Sequence, residues 1–209
     1  MKTSCKFILS LLLVIFTGFS AVGAETPDGR IEGFVSGLNG SSASGVKVNI
    51  WDGKVLKRAV SGRDGKFIVS GIIPGSSFAI RLTMPDSQTV RAEGLRCPER
   101  GGLTLTAGFE KTSAGHEYSL RLPSKPSRGY SWTLLGKGRE SILAFKEKMV
   151  EGPEEKDEVG GHAKGRSGHE IWKFNAAAPG RSDILLAYHR PWETAVPPVR
   201  YHISSVRVK

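Results

Sequence analysis

Hardly any stretch of this 209-residue chain repeats its apolar residues at the 3.6-residue spacing of a helix. Short runs with a period of two take their place, each cut off by Gly, Pro, Ser or Asp. An alternating run buries one face of a strand and wets the other, so such a chain must stack sheets upon sheets. Many short strands between turn residues point to β-sandwiches. The expected fold class is therefore all-β, with two β-sandwich domains.

The first set of runs spans about Gly29 to Leu105. Strands are expected at Arg30–Ser36, at Gly45–Trp51 with Val46, Val48 and Ile50 on one face, and at Val55–Val60, Lys66–Val69 and Phe78–Leu82. Asp52-Gly53 marks a hairpin turn, because Gly tolerates positive φ. Asp86–Gly108 is less regular: Cys97–Gly102 reads as a loop and Leu103–Leu105 as a strand of either set. In the second set Tyr118, Leu120 and Leu122 alternate with polar residues, as do Tyr130, Trp132 and Leu134. Ile171–Phe174, Ile184–Tyr188 and Tyr201–Val208 complete it. Alternation assigns Tyr130, Trp132, Trp172 and Phe174 to a core. The Glu-rich run Gly152–Asp157 reads as a solvated loop. The division is thus residues 27–107 and 108–209. With all its distinctive loops after Gly108, the second part is expected to work without the first.

Residues 1–24 read as a cleaved export signal. Lys2 and Lys6 precede an apolar run from Phe7 to Phe16, and Val22 and Ala24 are the small residues that signal peptidase requires. The run falls short of the roughly 20 residues that cross a bilayer. An exported chain, periplasmic or secreted, with no membrane contact after cleavage is expected. Cys97 is then the one cysteine left, so no disulfide can form within the chain, and it reads as a small buried residue.

The 30 Lys and Arg against 20 Asp and Glu become 28 against 20 once Lys2 and Lys6 leave with the signal. That excess suits an acidic protein partner; no nucleic-acid motif accompanies it, and no nucleic-acid partner is expected. Enzyme signatures fail on inspection. Gly160–Ser167 has a phosphate-loop spacing but lacks its Lys and its strand-to-helix setting. His169 stands where a nucleophile elbow needs Gly. The histidines lack metal-ligand spacing, and His169-Glu170 has no second His four residues on. Neither a metal, a cofactor nor catalysis is expected.

Three patches at strand junctions carry the strongest signal. They are Lys125-Pro126-Ser127-Arg128-Gly129-Tyr130, Gly165-Arg166-Ser167-Gly168, and Arg190-Pro191-Trp192. In order and spacing they resemble the chagasin family of inhibitors of papain-like cysteine peptidases. Its three loops read Asn-Pro-Thr-Thr-Gly-aromatic, Gly-x-Gly-Gly and Arg-Pro-Trp on an immunoglobulin-like domain. Lys125 stands where the family has Asn, Ser127 and Arg128 where it has two Thr, and Ser167 where it has Gly. More weakly, Gly33, Gly45, Val46, Val48, Asp64-Gly65-Lys66-Phe67, Gly71 and Pro74-Gly75 resemble the carboxypeptidase regulatory-like (transthyretin-like) sandwich. That resemblance implies a prealbumin-like spacer or binding module without catalytic residues.

The first resemblance implies a monomeric inhibitor whose three loops fill a peptidase's substrate cleft reversibly, the residues of the three patches forming the contact. Pro126 would lower the entropy lost on docking, and Trp192 and Arg190 are residue types enriched at binding hot spots. The competing reading is an adhesion or structural module of two sandwiches. A spacer has no need to expose Arg190-Pro191-Trp192, which separates the two.

Overall fold

A computed structural model describes residues 29–152 and 168–209. Residues 1–24, read from sequence as an export signal, most of the Glu-rich run, and Gly165, Arg166 and Ser167 lie outside the described residues. Nearly all of the described chain's regular structure is strand, as the alternation requires.

Thirteen strands form among these residues: β1 Gly29–Ser36, β2 Lys47–Trp51, β3 Leu56–Val60, β4 Lys66–Ile72, β5 Ser77–Thr83, β6 Thr89–Arg96, β7 Leu103–Thr112, β8 Glu117–Ser124, β9 Ser131–Gly136, β10 Leu143–Glu151, β11 Gly168–Ala176, β12 Gly180–His189 and β13 Arg200–Val208. Two of them go beyond the sequence reading. β6 lies within the irregular stretch, where Gly94 interrupts the pattern. β10 is an edge strand, and a register shift between Phe145 and Glu147 breaks its period of two.

The strands form three sheets, ordered β4-β1-β7-β13-β12-β9, β3-β2-β5-β6 and β10-β11-β8. The six-stranded sheet runs through both halves. β7 is its hinge, lying parallel to β1 on one side and parallel to β13 on the other. The expected boundary at residues 107 and 108 falls inside this strand.

The two smaller sheets cover opposite faces of the large one. Side chains alternate along a strand, so odd and even positions report the two faces. On β13, Tyr201 and Ile203 enter the core shared with β2 and β5, whereas Val206 and Val208 enter the core shared with β8 and β11. On β12, Ala187 belongs to the first core and Ile184, Leu186 and Tyr188 to the second. β13 is consequently buried on both faces almost throughout, as a strand clad on two sides must be. The first core also takes Cys97, a free and fully buried thiol whose pKa burial pushes up. Such a thiol is chemically quiet.

Candidate functional site

Strand registers decide where the loops meet. Gly168 at the start of β11 faces Ser124 at the end of β8. Ser131 at the start of β9 faces His189 at the end of β12. The β8–β9, β10–β11 and β12–β13 connections therefore open at one end of the second sandwich. Two of the three sequence patches, Lys125–Tyr130 and Arg190–Trp192, lie there within the described residues. Gly168 sits at the root of the other connection.

The first loop is a single turn of 3-10 helix over Pro126–Arg128. The Arg128 N–H donates to the Lys125 carbonyl at 3.0 Å and the Gly129 N–H to the Pro126 carbonyl at 2.8 Å. Pro126 suits the first position, where its missing N–H costs nothing. Gly129 closes the turn at φ 78°, a left-handed conformation that side chains disfavour. Lys125, Pro126, Ser127 and Arg128 are exposed, while Tyr130 is half-buried.

The third loop leans on the first. The Trp192 indole lies so close over Gly129 that a Cβ there would overlap it. Even so, 66% of Trp192 is exposed. The Arg190 Nε donates to the Arg128 carbonyl at 3.3 Å, and its guanidinium lies 4.9 Å from the centre of the Tyr130 ring. Its Nη1 also bonds Glu193 at 2.9 Å, which raises its pKa further and spends its charge within the loop. Tyr130 in turn stacks on Tyr188 at 5.3 Å. Arg190 is thus a brace between two loops, a use that its sequence setting did not reveal.

Tyr130 therefore belongs partly to the core and partly to the loop end, while Trp132, Trp172 and Phe174 are buried as expected. Gly168 is buried too, and a Cβ on it would press on the Glu151 carbonyl at 2.5 Å. Its smallness lets β10 and β11 close together.

Beneath the loops lies a residue that the sequence reading passed over. Glu170 is only 1% exposed in its side chain, yet it carries a carboxylate. It accepts hydrogen bonds from the Ser124 hydroxyl at 2.8 Å and the Trp132 N–H at 3.1 Å, and it pairs with Lys148 Nζ at 2.8 Å. One carboxylate thereby ties β8, β9, β10 and β11 together. Buried charges persist when paired and hydrogen-bonded in this way. The signal was available, since Glu170 shares the inward parity of Trp172 and Phe174.

Residues 111–205 match the family model described as Chagasin family peptidase inhibitor I42, which is a family of inhibitors and not of enzymes. No curated protein matches the sequence. Among solved structures, the cysteine protease inhibitor EhICP2 from Entamoeba histolytica is 20% identical. The alignment covers 49% of this chain and 86% of that one, with a TM-score of 0.39. PbICP-C, solved in complex with falcipain-2, is 17% identical over 51% of this chain and 91% of that one, with a TM-score of 0.35. The major pilin subunit BcpA of Bacillus cereus is 10% identical over 87% of this chain and 69% of that one, with a TM-score of 0.34. Likenesses as distant as these assign no property to the chain.

Proposed function

We propose that the protein is an exported inhibitor of papain-like cysteine peptidases that fills the substrate cleft reversibly with three loops. The observation that carries this reading is the exposed Trp192, held over Gly129 at a loop end within the segment that matches the inhibitor family. A large apolar side chain kept in water by its own loops is a poor core residue and a good anchor for a partner. The cross-ties through Arg190 and Tyr188 support the same reading, since loops fixed beforehand lose less entropy on docking. Export rests on the amino-terminal signal pattern, with the mature chain starting at Glu25.

Titrating the mature chain against a papain-like peptidase, with a serine peptidase as control, tests the proposal. Tight, reversible, competitive inhibition of the former alone is expected. A standard interface of about 1,600 Å² is enough for nanomolar binding. No inhibition by folded protein in excess overturns it.

A further inference from the structure

The three loops share their end of the molecule with part of the first half. β1, β7 and β13 run parallel and begin together, with Ile31 opposite Leu103 and Thr104 opposite Arg200. β4 ends there, Ile72 facing Gly29, and so does β6, Arg96 facing Ser77. The Ile73–Ser76 turn and the Cys97–Gly102 loop therefore open beside residues 190–199. β7 is the immediate neighbour of β13, and neighbouring strands lie only about 4.8 Å apart.

Direct bonds join these segments. The Arg96 Nη1 donates to the Ala195 carbonyl at 3.4 Å, and the Arg96 N–H to the Tyr201 hydroxyl at 2.9 Å. The Thr104 N–H donates to the Val199 carbonyl at 3.2 Å. The Cys97–Gly102 loop is itself fastened to the turn, Cys97 N–H to Ser76 carbonyl at 2.9 Å and Gly75 N–H to Cys97 carbonyl at 3.0 Å. What this platform offers to solvent is Ile73, Glu99 and Arg100, and the third loop, which Arg96 bonds at Ala195, exposes Val196. Among the described residues Arg100 has no ion-pair partner. Exposed aliphatic side chains with a free Arg form the makings of an interface, where Arg is enriched.

We infer that the Cys97–Gly102 loop and the Ile73–Ser76 turn are a fourth contact segment, which meets the peptidase's surface outside its substrate cleft. The inference rests on the inhibitory reading above. A standard footprint takes about 800 Å² and roughly 20–30 residues per partner, more than the 13 residues of the three patches, which leaves room for a platform one strand away. The matching surface on the peptidase carries carboxylates opposite Arg100 and an apolar contact for Ile73 and Val196.

The test compares the mature chain with Arg100→Glu, Ile73→Ser and, as control, Arg63→Glu. Arg63 is exposed in the turn before β4, at the opposite end of β1, and a Glu there changes net charge equally. Association and dissociation rates are measured with one papain-like peptidase. Arg100→Glu is expected to weaken binding about five- to tenfold, mainly through slower association, with Arg63→Glu unchanged. Ile73→Ser is expected to speed dissociation. Binding by both platform variants within twofold of the parent overturns the inference and leaves the inhibitory reading standing. An equal loss in Arg63→Glu also overturns it, because net charge then explains the effect. A parent chain that does not inhibit removes the reading and the inference together.

Discussion

The Tyr188 hydroxyl accepts the backbone N–H of Lys125 at 2.6 Å. The end of β12 thereby holds the first residue of the loop that follows β8, 63 residues away in sequence. The same ring stacks on Tyr130 and packs at 5.0 Å against Trp132, so one side chain supports both ends of the first loop. Tyr188→Phe keeps the stacking and removes the acceptor. Stability is expected to fall by about 1 kcal/mol, and inhibition to weaken about five- to tenfold because the loop is less fixed. Thermal melts and an inhibition titration read the two effects separately.

Trp192→Ala separates contact from core. The indole is mostly exposed, so the melting temperature should move little. Affinity should fall by roughly 30- to 1,000-fold, the about 2–4 kcal/mol typical of a truncated aromatic anchor. A collapse of the melting temperature with unchanged affinity per folded molecule would make Trp192 a structural residue instead.

Glu170→Ala is expected to destabilise the fold by about 3 kcal/mol, because it orphans the buried Trp132 N–H and Ser124 hydroxyl and leaves Lys148 unpaired. Glu170→Gln, which still offers a carbonyl acceptor, should recover part of that loss. Chemical denaturation of the two variants measures it.

A chain beginning at Gly108 was expected from sequence to keep its function. The shared sheet points the other way. That cut removes half of β7 and uncovers Ala187, Tyr201 and Ile203, which are buried against the first half. A large apolar side chain returned to water costs about 1.5–3 kcal/mol. The shortened chain should melt far lower or aggregate, as circular dichroism and size-exclusion chromatography will show.

Acid should weaken the fold through His202. Burial pushes its pKa down to about 4 from 6.5, and among the described residues Nε2 has no hydrogen-bond partner. Below about pH 6.5 the unfolded chain takes up a proton that the folded chain refuses until about pH 4. Stability present at neutral pH is therefore lost across that window, by up to about 3 kcal/mol. Glu110, whose pKa burial raises, acts in the opposite sense, losing stability as pH rises through its folded value. His202→Leu isolates the first effect: the difference in unfolding free energy between pH 7 and pH 4.5 should shrink relative to the parent.

Alternation alone was enough to read an all-β fold, because period two has one consequence for a strand with a wet and a dry face. It also placed Trp132, Trp172 and Phe174 inside. Two loop patches, Lys125–Tyr130 and Arg190–Trp192, stood out through their resemblance to the chagasin family, and the strand registers bring them to one end of a sandwich. What the chain order could not express was which faces met. Tyr201 and Val206 look alike as apolar strand residues, yet they enter different cores on opposite sides of one sheet. Nor could local pattern show that the Arg190 Nε donates to the Arg128 carbonyl 62 residues away, or that Arg96 reaches Ala195 from 99 residues away. Those pairings depend on strand order and register, which arise from non-local contacts, and only the folded sheet brings their partners within bonding distance.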